Sequence, residues 1–234
     1  MAGKSQSHAG SNALPDGFVF LRDVAPSIVQ DIRYATPRNF TGKPVPGYEA
    51  AECVLKRPAA EALKRAQEKA QSLGYSLKVY DCYRPVRAVR AFMAWAGAIE
   101  DRRTKAYYPH LAKSRLIPAY IASQSAHSTG LAVDLTLIPL DQTAEDNAGE
   151  TKDCTAPSGN RAAGAGLDMG TAFDCFDPKA NTASPLATPK QRADRVILKG
   201  ILEPAGFKNY SAEWWHYVFA AAEERQRYDF VIKR

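Results

Sequence analysis

The sequence predicts an α+β fold: a single domain in which a central, mainly antiparallel sheet is flanked by helices. Three observations lead there. Apolar residues recur with the 3.6-residue period of a helix in stretches that begin near residues 57, 85 and 188. They alternate with the two-residue period of a strand at 75–81 and 131–138, and the closing stretch 207–222 has a strand pattern with flanking aromatics. The order of these segments is mixed, with neither a repeating strand–helix–strand ladder nor an internal repeat.

Size and composition are consistent with that class. A chain of 234 residues with 45% hydrophobic content can bury one substantial core without a metal or disulfide to hold it. Its formal charge of +6 is spread along the chain and interleaved with acids such as Glu61, Glu68 and Asp194, so a nucleic-acid partner is not expected. No run of eighteen apolar residues occurs, so no membrane span is expected.

Residues 1–16, "MAGKSQSHAGSNALPD", are rich in Gly, Ser and Ala and lack the apolar core of a secretion signal. They read as a flexible leader, with His8 a surface residue, followed by one domain over 17–234. "GFVFLRDVAPSIVQDIRYAT" reads as extended structure with turns, and "PRNFTGKPVPGYEA" as a Pro/Gly-rich loop. In "RPAAEALKRAQEKAQSLG", Pro58 suits a first turn, Leu63, Ala66, Ala70 and Leu73 share one face, and Gly74 is a stop. "YSLKVYD" alternates as a strand and delivers Asp81, Cys82, Tyr83 and Arg84 at its C-terminal end. Pro85 opens a second helix, with Val86, Val89, Met93 and Ala96 on one face and Phe92 and Trp95 beside it. Residues 101–122 form a polar connection, in which His110 is read as structural. The strand at 131–138 sets Asp134 on the face opposite Leu131, Val133, Leu135 and Leu137. Residues 139–185 lack periodicity and read as a long loop, and a third helix runs from Thr188–Pro189 to Gly206.

Asp134 is the first residue that asks for chemistry. A carboxylate inside an apolar strand must be paired, hydrogen-bonded or bound to a metal. His127 stands seven positions earlier, a separation that a straight strand would place on the opposite face, so a turn or bulge at Gly130 is required to re-aim it. In "SAEWWHY", Glu213 and His216 are three apart, and Glu213 must stand before the strand or at a bulge. Two histidines and an aspartate with a glutamate nearby have the composition of a catalytic zinc site with one position left open. A buried His–Asp pair with a purely structural role has the same look when taken alone. Four cysteines, Cys53, Cys82, Cys154 and Cys175, form no C-x-x-C pair, which argues against a zinc ribbon and leaves open both two disulfides and four buried thiols.

Ser125 to Asp134 fits S-x-H-x-x-G-x-A-x-D, and Glu213 to His216 fits E-x-W-H. Further matches lie at Tyr34–Thr36, Asn39–Pro44, Asp81–Pro85, Tyr107–Pro109 and Met169–Asp174. On these residues, nearly everything after residue 16 resembles the D-alanyl-D-alanine dipeptidases of the VanX type, zinc D,D-dipeptidases of peptidase family M15. The resemblance implies a zinc site at the sheet, with His127, Asp134 and His216 binding one Zn²⁺ per chain and Glu213 as general base. It implies that Arg84 faces the scissile carbonyl, where a permanent charge stabilises an oxyanion, rather than being a surface arginine at a helix start. It sets Asp174, helped by Tyr34, at the free ammonium of a small D,D-dipeptide and Ser125 near its carboxylate. For Tyr34 a core tyrosine, and for Ser125 a turn hydrogen bond, are the plainer roles.

Two features depart from short members of that family: an insertion around "EDNAGETKDCTAPSGNRAAGAG", and the four cysteines. Their even count, and the adjacency of each pair to a matched motif, lead us to expect Cys53–Cys82 and Cys154–Cys175 bridges and a periplasmic or otherwise extracytoplasmic location, the cytoplasm being the alternative. The expected activity is hydrolysis of D-Ala-D-Ala. The competing readings are a zinc D,D- or L,D-carboxypeptidase acting on wall peptides, and a zinc-stabilised binding protein, for which Glu213 and Arg84 would be superfluous.

Overall fold

The computed structural model describes residues 14–140, 153–157, 166–220 and 224–234. His8, most of the leader and most of the insertion lie outside them. Strands β1 (Phe18–Phe20) and β3 (Val54–Lys56) pair antiparallel as a small ribbon. The main sheet is built from β2 (Val29–Gln30), β4 (Tyr75–Asp81), β5 (Ala132–Pro139), β6 (Phe207–Asn209) and β7 (His216–Phe219) in the order β2-β4-β5-β7-β6. Only the β2–β4 pair is parallel. The class is therefore α+β with a mainly antiparallel sheet, flanked by helices α2 (Arg57–Ser72), α3 (Val86–Gly97) and α4 (Pro189–Leu202).

The helices follow from local signals. Helix α2 has its proline in the first turn, buries Leu63, Ala66 and Ala70, and stops where Gly74 takes a φ of +83°. Leu73 departs from the expected face: it follows the last helical residue and is 47% exposed. In α3 the buried face is Ala88, Val89, Phe92 and Ala96, with Met93 and Trp95 only partly covered. Thr188 caps α4 through a reciprocal capping box with Gln191, which satisfies two otherwise orphaned N–H groups.

Strands β4 and β5 match the expected 75–81 and 131–138 to within a residue, whereas the first and last stretches are more broken than the sequence pattern implies. The stretch after Gly17 contains a one-turn helix, α1 (Leu21–Val24), between its strands. The closing stretch is two strands, β6 and β7, joined by a turn in which the N–H of Tyr210 and the carbonyl of His216 are bonded at 3.0 Å. Strand β5 is buried on both faces, which is why it reads as an almost continuous apolar run. Residues 101–122 are not merely polar: Thr104, Tyr108, Leu116 and Ile121 are buried, and the Lys113 ammonium lies 4.2 Å from the centre of the Trp95 ring. Within 139–185 the described residues form turns and one short 3-10 segment, Pro178–Ala180.

A bulge in β4 decides what faces what. Val79 pairs with Leu135, but the next pair is Asp81 with Asp134, so two residues of β4 oppose one of β5. That extra residue turns Asp81 toward the side on which Asp134 lies. Asp134 in turn pairs with His216 of β7. Three polar residues thus stand abreast on three neighbouring strands.

Candidate active site

Each histidine reaches the site through an interruption of regular structure. His127 lies on a 3-10 turn, Ala126–Thr129, which Ser125 caps by accepting the His127 N–H at 3.2 Å. Gly130 ends that turn at φ +79°, and a Cβ there would come within 2.3 Å of the Phe18 ring, so only glycine makes the reversal. His216 is the first residue of β7, and Glu213 stands in the turn before it. The spacing of three is therefore compatible with one shared cavity, because the strand has not begun at Glu213. Asn209 staples this turn through its amide, donating to the carbonyls of Glu213 and His216 at 3.1 Å each. Trp214 ties it to the opposite wall by donating to Thr171 Oγ1 at 2.8 Å.

The three ligand-type atoms converge. His127 Nε2 lies 3.0 Å from His216 Nδ1 and 3.2 Å from Asp134 Oδ1, and His216 Nδ1 lies 2.9 Å from the same oxygen. A tetrahedral ion held at about 2.0–2.1 Å requires donor separations of about 3.3 Å, so the triangle fits a single zinc-sized ion. The proton arrangement agrees. His127 Nδ1–H donates to the Cys82 carbonyl at 2.7 Å, which leaves the Nε2 lone pair facing the centre. His127 and Asp134 are almost wholly buried, and among the described residues this is the group able to hold a metal. Burial pushes the Asp134 carboxyl upward, but the two imidazoles outweigh it and hold the group below the usual carboxylate range.

Around this centre lies a cavity of about 360 Å³ whose walls include Arg84, Asp174, Glu213 and Tyr210, roofed by residues 118–122. Glu213 Oε2 is 4.0 Å from His216 Nδ1. Burial, reinforced by the Asp134 charge, raises its carboxyl to about 7 against the pull of His216 and Arg84. Arg84 donates from Nε to Asp81 Oδ2 at 2.9 Å, and its Nη2 lies 3.5 Å from Asp134 Oδ2. The guanidinium also sits 5.1 Å from the Tyr34 ring centre, which limits its rotation. Asp174 adopts φ +60°, a conformation aspartate tolerates better than most residues, and accepts the Tyr34 hydroxyl at 3.0 Å. Burial first, and the Asp134 charge second, push the Asp174 carboxyl well above its ordinary value. Tyr34, Arg84, Ser125, His127, Asp134, Asp174, Glu213 and His216, all named from the sequence, line this one cavity, and the four cysteines stand outside its lining. His110 lies apart, paired with Asp177 at 2.7 Å.

Three structural partners were not evident in the sequence. Asp81 is fully buried, takes the Tyr48 hydroxyl at 2.7 Å and holds Arg84; its place in "DCYRP" signalled importance without a role. Tyr48 sits in the Pro/Gly-rich loop, where nothing in the pattern marks it. Arg195 is also fully buried, donating to the carbonyls of Met169, Lys179 and Asn181 and so fixing the segment that carries Asp174. Its signal was a charge lying within the apolar stripe of α4. Two disulfides complete the frame: Cys53–Cys82 ties the start of β3 to the end of β4, and Cys154–Cys175 anchors the residue after Asp174.

The model of peptidase family M15 described as D-ala-D-ala dipeptidase matches residues 15–234. The chain is 39% identical over 220 residues to a D-alanyl-D-alanine dipeptidase of Enterococcus faecium, covering 93% of this chain and 98% of the relative. It is 37% identical over 218 residues to a D-alanyl-D-alanine dipeptidase of Streptomyces coelicolor, covering 92% and 98%. A D-alanyl-D-alanine dipeptidase of Escherichia coli is 29% identical over 202 residues, 85% of this chain and 82% of that one. A match along virtually the whole described fold, centred on a cavity with a His–Asp–His triangle and a partly buried glutamate, makes this chain a peptidase that belongs to the M15 family of D-Ala-D-Ala dipeptidases.

Proposed function

We propose that this chain hydrolyses D-Ala-D-Ala to two D-alanines in a zinc-dependent reaction. The observation that carries the reading is the meeting, in one cavity, of the His127–Asp134–His216 triangle with Glu213, Arg84 and the buried Asp174. Zinc bound by that triangle would supply Lewis acidity, lowering the pKa of water and polarising a carbonyl. The protein's own groups do the rest. Glu213, with a carboxyl raised toward neutrality, accepts a proton from the attacking water at Oε and delivers it to the leaving amine. Arg84, held by Asp81 and carrying a permanent charge, faces the developing oxyanion.

Substrate length is read at both ends. Asp174 and the Tyr34 hydroxyl form an acceptor site for a free ammonium, and that cation supplies the counter-charge that the buried carboxyl lacks. Ser125 uses its oxygen to accept from His127 N–H, so its own hydrogen is available to a substrate carboxylate. An acylated amine would leave Asp174 unpaired, which penalises longer chains on that side. We place the protein outside the cytoplasm, a reading supported by its two disulfides and the even cysteine count.

The test is hydrolysis of D-Ala-D-Ala with and without chelator, alongside metal analysis and an N-acylated tripeptide. The expected result is zinc near one per chain, turnover of the free dipeptide that chelation abolishes, and little turnover of the acylated peptide. Preference for the acylated tripeptide would replace this reading with a carboxypeptidase. Zinc binding without turnover would replace it with a binding protein.

A further inference from the structure

A second cavity, of about 450 Å³, adjoins the first. Gln124, Ser125, Ala126 and Val218 line both, so the capped turn that presents His127 is also the partition between them. The second cavity has a different electrostatic character. The catalytic one is rich in carboxylates, and its one guanidinium, Arg84, is engaged by Asp81. The second has Arg225 and Arg227 in its walls. Both side chains are exposed, and among the described residues neither makes an ion pair or hydrogen bond. Glu224 is the acid among these walls, and it is already engaged. The Lys56 ammonium lies 3.6 Å from it, Tyr228 donates its hydroxyl at 3.2 Å, and the Gln226 N–H donates at 2.8 Å. Among the described residues, two guanidinium groups thus line this space with no carboxylate paired to them.

We propose that the second cavity is an anion subsite on the leaving-group side of the scissile bond, where Arg225 and Arg227 receive the side-chain carboxylate of a dipeptide whose second residue is acidic. Its direction rests on the proposed function, under which Ser125 marks the substrate's carboxylate end and Asp174 its amine end. A substituent on the second residue therefore has to pass the Ser125 partition to gain room, and the space beyond it is cationic. The arginines are solvent-exposed and act as a preference, not a requirement. Pairing of exposed guanidinium and carboxylate groups supports about a three- to tenfold gain. The bond broken is the same amide as in D-Ala-D-Ala, so no new chemistry is needed.

The experiment compares D-Ala-D-Glu with its neutral isostere D-Ala-D-Gln on the zinc-loaded full chain, with D-Ala-D-Ala as control. We expect kcat/KM for D-Ala-D-Glu to exceed that for D-Ala-D-Gln by about three- to tenfold at low salt. The ratio should contract as ionic strength rises and collapse toward one in the double variant Arg225→Gln, Arg227→Gln. A ratio near one in the native protein, or one the double variant leaves intact, overturns the subsite. Calorimetric binding of the same two peptides to the zinc-loaded Glu213→Gln protein reads the subsite without turnover. If D-Ala-D-Ala itself is not hydrolysed, the dipeptidase reading fails, and the binding ratio still decides for or against the subsite.

Discussion

Glu213 and His216 are three residues apart, yet their surroundings assign them different work. His216 Nδ1 is one corner of the donor triangle, whereas Glu213 stands 4.0 Å from that atom and outside the triangle. Glu213→Ala should therefore keep its zinc and melt close to the native temperature, while kcat falls about 10²- to 10⁴-fold. His216→Ala should lose metal and activity together, because the proposed zinc would keep only two of its three protein ligands. Zinc content, melting temperature and D-Ala-D-Ala turnover on both variants check the division; a metal-free Glu213→Ala would show that the glutamate is a ligand. Proton occupancy yields a second expectation. Burial raises the Glu213 carboxyl to about 7, and a bound dication pulls it back down. A general base works only when deprotonated, so kcat/KM should rise with pH along an acid limb whose midpoint lies below about 7. A pH profile that is flat from 4.5 to 7 would contradict that assignment.

At the level of elements, the segment bearing Asp174 is held less by its own structure than by α4. Arg195 reaches out of that helix to four carbonyls of the segment, Met169, Lys179, Asn181 and Thr182. Arg195→Met should cost about 3 kcal/mol or more, since several buried carbonyls lose their donor at once. Its kinetic mark should be a rise in KM for D-Ala-D-Ala larger than the fall in kcat, with partial recovery in Arg195→Lys. Equal loss of both parameters would indicate a purely structural residue. The turn before β5 has a sharper requirement. At Gly130 an added methyl meets the Phe18 ring at 2.3 Å in a left-handed conformation, so Gly130→Ala should lose about 2–4 kcal/mol and displace His127. Thermal unfolding together with zinc affinity would detect both effects.

Across the whole molecule, the two disulfides connect the site to the frame at opposite ends. Cys53–Cys82 secures the strand end that presents Arg84 and the carbonyl bonded to His127, and Cys154–Cys175 secures the residue beside Asp174. Bridges closing loops of this size stabilise a fold by about 3 kcal/mol each. The native protein should therefore show no alkylatable thiol until it is unfolded and reduced. The paired variant Cys154→Ser, Cys175→Ser should weaken D-Ala-D-Ala binding more than it slows turnover. Four reactive thiols in the native protein would remove both the bridges and the extracytoplasmic location.

The sequence by itself determined the class of the fold, its three long helices and the residue types at the centre, because period, capping and the cost of a lone buried carboxylate are local or compositional signals. His127, Asp134, Glu213 and His216 were legible for the same reason: each sat in a pattern that required an explanation. Only the tertiary structure decided how they meet. The bulge between Val79 and Asp81 sets which way Asp81 faces, and Asp134 pairs with both Asp81 and His216. The capped turn ending at Gly130 aims His127, and the break between β6 and β7 frees Glu213 from strand alternation. Tyr48 and Arg195 were hidden more deeply, since their partners lie 33 and 26 positions away, and the value of Asp81 likewise lies in hydrogen bonds, which no periodicity records. The basic walls of the second cavity belong to this group too: exposed arginines near the chain end look like ordinary surface charge until the fold brings them to Ser125. A one-dimensional pattern reports which face a residue prefers, whereas the register of strands and the closure of long loops decide what it meets there.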